Sequence, residues 1–399
     1  MKIGVYGGTF NPPHLGHLIS ARFAMEYLGL DRLIFMPAGD PPHKELPAHS
    51  PPVQKRLEMM ILAADSMLLP SRVEVSDMEV RREGKSYTAD TLTELHEQYP
   101  DDELWLLMGT DMFLTLQNWK KPEIICELAH LAAFARTQAD TGEMLEIQGK
   151  YLSETFGAKC TVIQLPQITP VSSTQLRDLL GKGEGREYLP PAVYGYILRD
   201  ALYGTHADLK DLNHEDMTAC SLSMVYAKRH AHILGVAETA VDLARRWGED
   251  EALAFRAGIL HDCTKYLTLE EHLAICGEYG VELDDMERQS AKLLHSKTGA
   301  ALARNLYGQP DEVYWAIYWH TTGKADMTKL EKIIYLADYM EPNRKFDGVE
   351  ELRKLCYEDL DKALLLGVGM SIEDLNQRGV PIHKNTQAAM DWLLKHGKG

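Results

Sequence analysis

Up to about Gly204 the chain alternates short apolar runs with helix-length amphipathic stretches, and from about Asp208 the apolar runs cease. Residues 32–38, 72–78, 104–108, 130–136 and 160–165 read as buried strands, short apolar-rich runs between the helix-length stretches. The stretches 18–28, 52–65, 88–99 and 144–156 between them read as helices. Such alternation predicts a parallel sheet with helices on both faces and ligands beyond the carboxyl ends of the strands. Further on, 221–247, 249–260, 297–307, 312–320, 329–339 and 386–395 are amphipathic at helical spacing. The expected architecture is an α/β domain over 1–204, a polar linker over 205–216 and an all-helical domain over 217–399.

Composition excludes several classes. At 399 residues the chain is too long for one ordinary core. A net charge of −17 argues against a protein that grips nucleic-acid backbone, but leaves room for a local basic pocket. The six cysteines show no C-x-x-C pair, so free thiols in a reducing compartment are expected. The first residues run into a strand without a signal-peptide core, and no apolar stretch approaches the ~20 residues of a membrane span. A cytoplasmic protein without a membrane partner is expected, and a homo-oligomer is left open.

The first apolar run, Ile3 to Tyr6, passes directly into Gly7-Gly8-Thr9-Phe10-Asn11-Pro12-Pro13-His14-Leu15-Gly16-His17. His14 and His17, three apart, share a helix face and can point at one ligand. A first helical turn offers unpaired N–H groups and a positive dipole end, both suited to phosphate. Pro41-Pro42-His43-Lys44 adds positive charge, and Ser172-Ser173-Thr174-Gln175-Leu176-Arg177 reads as a hydroxyl-rich helix start carrying an arginine. Phosphate cradle and positive charge together suit adenylyl transfer by positioning and electrostatics.

In order and spacing these segments resemble the bacterial nicotinate-mononucleotide adenylyltransferase family from Met1 to about Gly204. The resemblance implies a Rossmann-like nucleotidyltransferase domain that moves AMP from ATP to nicotinate mononucleotide, releasing pyrophosphate with Mg²⁺. It implies catalytic roles for His14, His17, Lys44 and Arg177, and substrate contacts from Gly7, Gly8, Thr9, Phe10, His43, Ser172, Ser173 and Thr174. Ser86-Tyr87-Thr88-Ala89-Asp90-Thr91-Leu92 resembles the family's pyridine-carboxylate segment, so Tyr87 and Thr88 are expected there. Leu107-Met108-Gly109-Thr110-Asp111, with Trp119 and Arg136, resembles its nucleotide core. Trp119 can stack on a pyridine ring, and nicotinate is expected to be preferred over nicotinamide. Cytidylyl- and pantetheine-phosphate adenylyltransferases share H-x-G-H, but lack the Tyr87-Thr88 and Trp119 pattern.

The helical half carries His232, His261-Asp262, His295, His320 and Asp338. In a chain with 16 histidines an adjacent His-Asp pair alone is weak. Their distribution over successive helices is stronger, since Asp338 lies among Ile334, Leu336 and Ala337 and needs a compensating partner. Imidazole and carboxylate ligands suit Fe, Mn, Zn, Ni or Co. The order resembles the HD superfamily of metal-dependent phosphohydrolases, which implies His232, His261, Asp262 and Asp338 on one metal, and His295 and His320 on a second bridged by Asp262. The neighbouring residues, among them Leu260-His261-Asp262-Cys263-Thr264-Lys265 and Lys332 to Pro342, resemble the bacterial symmetrical diadenosine-tetraphosphatase from about Met217 onward. That family cleaves diadenosine tetraphosphate to two ADP with iron, and the resemblance implies phosphate contacts from Lys265 and Arg344, with Asp262 and Lys265 catalytic. A nucleotidase of other specificity and a non-catalytic nucleotide-binding regulatory module stay open for this half. His230 is expected outside the ligand set, and His206, His214, His272, His383 and His396 on the surface.

Overall fold

A computed structural model of the chain describes residues 1–41, 46–47, 49–135, 142–165 and 171–396. The chain folds as two compact units, Met1–His206 and Ala207–Gly399.

In the first unit, strands β1 (Lys2–Gly8), β2 (Arg32–Pro37), β3 (Val73–Val75), β4 (Glu103–Gly109), β5 (Ala129–Ala135) and β6 (Cys160–Gln164) form one parallel sheet in the order β3-β2-β1-β4-β5-β6. Alternate residues divide between two cores. Tyr6, Leu33, Phe35 and Leu107 pack in one, and Ile3, Val5, Ile34, Met36, Leu104 and Leu106 in the other. Both faces are therefore covered, which is why the strands are apolar throughout. The strand order reverses between β1 and β4, so the crevice of such a sheet opens beyond Gly8 and Gly109.

The run at 72–78 departs from expectation, forming a three-residue edge strand followed by the short helix Met78–Arg81. Ser76 Oγ accepts the Met78 N–H at 3.2 Å, which turns the chain out of the sheet.

In the second unit the helices include His214–Leu222, His230–Trp247, Glu251–Leu260, Leu269–Glu278, Ala291–Asn305, Asp311–Trp319, Lys329–Met340, Val349–Glu358, Leu360–Gln377 and Lys384–His396, and the described residues form no strand. The continuous helix expected over 221–247 is broken: Ser223 Oγ bonds the Cys220 carbonyl at 2.6 Å, and a 3-10 turn, Ala227–Arg229, precedes His230–Trp247. The helix expected from 297 starts at Ala291. All six cysteines are free. Among the described residues no helix is long and apolar enough to cross a membrane.

Small residues set the closest helix approach. A Cβ at Gly258 would lie 2.7 Å from Ala237 Cα, so the His230–Trp247 and Glu251–Leu260 helices meet backbone to backbone there. Gly277, in the Leu269–Glu278 helix, has open space where its Cβ would be. Gly258→Ala is expected to destabilise this unit by about 1–3 kcal/mol. Gly277→Ala should instead stabilise it by about 0.5–1 kcal/mol through helix propensity. Urea or thermal unfolding of the two variants reads the opposite signs.

Candidate functional sites

In the first unit, β1 leads through a buried loop to the helix Leu15–Leu28, whose N-cap is His14. Phe10 has φ 44°, a left-handed conformation costing a non-glycine residue of order 1–3 kcal/mol. Its ring offsets that cost by burial against Tyr6 and Phe35, at centroid distances of 5.9 and 5.8 Å. The same ring meets His17 edge-on at 5.1 Å, and His14 and His17 lie 3.8 Å apart. His17 Nδ1 accepts the His14 N–H at 3.2 Å, so a neutral His17 carries its proton on Nε2 as a donor.

The Ser173–Leu180 helix joins this loop across the fold. Its N-cap is Ser172, closed by a capping box with Gln175. Ser173 Oγ donates to the Pro12 carbonyl at 3.3 Å, and Arg177 Nη1 to the Asn11 carbonyl at 2.7 Å. Arg177 Nη2 also meets Thr174 Oγ1 at 3.1 Å. The structure therefore brings the Gly7–His17 loop and Ser172–Arg177 together. Gly7 has open space where a Cβ would be, whereas a Cβ at Gly8 would press on Phe10 at 3.1 Å.

Two residues here escaped the sequence reading. Arg56 is 1% exposed and donates to the Thr9 carbonyl at 2.8 Å and the Gly39 carbonyl at 3.0 Å, tying together the loops after β1 and β2. Its pKa is lowered by burial. A signal existed, since Arg56 falls on the same helix stripe as Met59, Met60 and Ala63. Tyr203 donates to Asn11 Oδ1 at 2.7 Å, and nothing in its sequence context marks it.

Tyr87 caps the Thr88–Gln98 helix, and Lys120 Nζ lies 3.9 Å over its ring and 3.2 Å from Asp90 Oδ2. Half-buried Trp119 immediately precedes Lys120, so the Tyr87-Thr88 and Trp119 segments adjoin. Gly109 ends β4, and Asp111 sits exposed in the first turn of Thr110–Leu114. His43, Lys44 and Arg136 lie outside the described residues.

In the second unit six side chains from successive helices converge. His232 comes from His230–Trp247, His261-Asp262 follow Glu251–Leu260, His295 lies in Ala291–Asn305, His320 follows Asp311–Trp319, and Asp338 lies in Lys329–Met340. His232 Nε2 is 3.3 Å from His261 Nε2 and 3.1 Å from Asp338 Oδ1. His295 Nε2 is 3.1 Å from both His320 Nε2 and Asp262 Oδ1. Asp262 Oδ2 faces the other pair, 3.5 Å from His261 and 3.9 Å from His232.

Each imidazole is oriented through Nδ1: His232 to Glu341 Oε1 at 3.1 Å, His261 to the Gly258 carbonyl at 2.7 Å, His295 to Lys292 at 2.6 Å and His320 to Ile317 at 2.7 Å. Those acceptors place the proton on Nδ1 and turn the Nε2 lone pairs inward. Lone pairs facing one another at such distances favour a cation between them, and imidazole with carboxylate is a donor set for a divalent transition metal. The residues fit a metal. Three sets, His232-His261-Asp262, His261-His320-Asp338 and Asp262-His295-His320, each keep their ligand atoms within 4.8 Å.

Electrostatics agree. Burial opposes a charge on His261, yet Asp262 and Asp338 raise its pKa, so the carboxylates demand positive charge among them. Burial, reinforced by Lys265, lowers His295 to about 4. Burial opposes ionisation of Asp262 and Asp338, but the imidazoles hold both well below the ordinary carboxylate range.

Cations ring the cluster. Lys265 Nζ is 3.0 Å from His295 Nε2 and 3.4 Å from Asp262 Oδ1, and Arg344 Nη2 is 2.7 Å from Asp338 Oδ1. Arg229, missed in the sequence, places Nε 2.9 Å from Asp262 Oδ2, carried there by the helix break that was also missed. His230 turns instead to the Leu222 carbonyl at 3.0 Å. Two histidines expected on the surface are buried: His272 bonds Thr298 Oγ1 at 2.8 Å, and His383 pairs with Asp284 at 3.1 Å.

Comparison with known proteins matches this division. The cytidylyltransferase-like family model matches residues 5–179, and the HD domain model residues 229–343. A probable nicotinate-nucleotide adenylyltransferase of Lachnoclostridium phytofermentans is 38% identical over 203 residues, covering 51% of this chain and 98% of that protein. A symmetrical bis(5'-nucleosyl)-tetraphosphatase of Bacillus subtilis is 36% identical over 184 residues, covering 46% of this chain and 98% of that protein. A solved structure from Clostridium acetobutylicum, described as a predicted HD superfamily hydrolase involved in NAD metabolism, is 42% identical with a TM-score of 0.45, covering 46% of this chain and 98% of its own. The chain thus belongs to the nicotinate-nucleotide adenylyltransferase family over its first half and to the HD-domain family over its second.

Glu341 is 1% exposed and orients His232. Glu341→Gln is expected to weaken metal binding about tenfold without unfolding the chain, read by equilibrium dialysis against Mn²⁺.

Proposed function

We propose that the chain is a bifunctional enzyme: nicotinate-nucleotide adenylyltransferase in its first unit and symmetrical diadenosine-tetraphosphatase in its second. For the first activity the carrying observation is the tie between Arg177, Ser173 and the H-x-G-H loop. A phosphate oxygen of nicotinate mononucleotide attacks the α-phosphorus of ATP, and pyrophosphate leaves with the electrons of the broken P–O bond. The nucleophile is already anionic, so no protein base is needed. His17 Nε2–H, His14 and Arg177 stabilise the charge on the transferring and leaving phosphates, joined by Lys44 and His43. Neither Gly7–His17 nor Ser172–Arg177 contains a carboxylate, and Mg²⁺ accompanying ATP would supply further charge neutralisation on its phosphates. Thr88 and Tyr87 receive the pyridine carboxylate and Trp119 the ring.

For the second activity the inward-turned Nε2 atoms around Asp262 carry the reading. Two metal ions, iron by resemblance, would be held by His232, His261, Asp262 and Asp338 and by Asp262, His295 and His320, and would supply an activated water and charge neutralisation at phosphorus. Lys265, Arg229 and Arg344 bind the phosphate oxygens. Hydrolysis breaks the central P–O–P bridge: the bridging oxygen leaves on one ADP and the water oxygen remains on the other.

Two variants separate the activities. His17→Ala is expected to lower kcat for adenylyl transfer by about 10²–10³ while leaving diadenosine-tetraphosphate hydrolysis unchanged, and Asp262→Asn to abolish only hydrolysis. Chromatography of the hydrolysis products should show ADP alone; AMP with ATP would overturn symmetrical cleavage. Equal kcat/KM for nicotinate and nicotinamide mononucleotide would overturn the assigned pyridine selectivity.

A further inference from the structure

Just outside the metal cluster stand two exposed tyrosines that the mechanism above does not use. Tyr226 is 51% exposed and Tyr266 38%, and their rings meet edge to face with centroids 4.6 Å apart at 65°. Lys228 Nζ lies 5.6 Å from one ring and 5.7 Å from the other. Each tyrosine is tethered to a cation of the cluster. The Tyr226 carbonyl accepts the Arg229 N–H at 2.8 Å, and Arg229 holds Asp262 Oδ2. Tyr266 directly follows Lys265, which approaches Asp262 Oδ1 at 3.4 Å. The two rings therefore rise from residues adjoining cations that touch opposite oxygens of one buried carboxylate.

We propose that Tyr226 and Tyr266 form the platform for the base of a purine nucleotide whose phosphates reach Arg229 and Lys265. The inference rests on the phosphohydrolase reading and deepens it by naming what holds the nucleoside. Two edge-to-face rings form a corner in which a base stacks on one face and presents its rim to the other ring. Such stacking accepts any base with a π-face and favours large ones, and Lys228 adds positive charge along the route of the phosphates.

The test uses the full-length, Mn²⁺-loaded chain. Photolabelling with 8-azido-ADP, mapped by peptide, should mark the segments containing Tyr226 and Tyr266. Tyr226→Ala and Tyr266→Ala should raise KM for diadenosine tetraphosphate about tenfold, with kcat within about twofold. The corresponding phenylalanine variants should behave as the parent, and inhibition by base-free tripolyphosphate should not change. Label confined to other segments, or alanine variants with parental KM, overturns the platform. If the parent labels at these peptides yet leaves diadenosine tetraphosphate intact, the platform stands and the tetraphosphatase reading falls.

Discussion

A charge taken out of water has to be met by opposite charge or by hydrogen bonds, and each unit is organised around one such group. In the first it is Arg56, which spends its guanidinium on the Thr9 and Gly39 carbonyls and so fixes two loops at the carboxyl ends of neighbouring strands. In the second it is Asp262, fully buried, with one oxygen facing His232 and His261 and the other facing His295 and His320. Removing the partners of either group would strand an uncompensated charge, at a cost of about 3–5 kcal/mol. Functional loops and ligands are in this sense consequences of satisfying a buried ion.

Helix geometry then does much of the orienting. His261, His295 and His320 each direct Nδ1 to the carbonyl three residues earlier. For His261 and His320 that carbonyl belongs to the last turn of a helix, where carbonyls lack intrahelical partners. The Ile317 carbonyl also accepts the His320 backbone N–H at 3.4 Å, and in each case the ring bond sets the tautomer and aims Nε2 into the cluster. The same helix ends carry partial negative charge, which favours a cation nearby. His232 lies in the first turn of its helix, and Glu341 supplies the acceptor from another part of the unit.

These two devices explain which features were legible in the sequence. Buried parallel strands announce themselves as consecutive apolar residues, and Asp338 stood out as a charge among apolar helical neighbours. The 72–78 run was misleading because Met78 lies beyond the polar Ser76-Asp77 pair and belongs to the next helix, and the Ser76 hydroxyl turns the chain there. The break before His230 was hidden because Ser223 and its neighbours also suit a helix, and the competing side-chain bond shows only in three dimensions. Arg56 was legible in principle as a charge on an apolar stripe, but its partners are backbone carbonyls, which have no sequence signature. His272 and His383 were misplaced for a related reason: Thr298 and Asp284, which permit their burial, are remote in the chain.

The two candidate sites have opposite electrostatic character. The Gly7–His17 loop and Ser172–Arg177 contain no acidic residue, so neither segment carries fixed negative charge. The Asp262 cluster presents lone pairs and carboxylates, which repel phosphate until cations lie between them. Arg229, Lys265 and Arg344 each point at a carboxylate of the cluster. On the proposed reading, metal held by Asp262 and Asp338 would take over those carboxylates and would leave the same three side chains for a phosphate. Metal loading would in that case convert the site from cation-seeking to anion-binding, within a chain whose overall charge is −17.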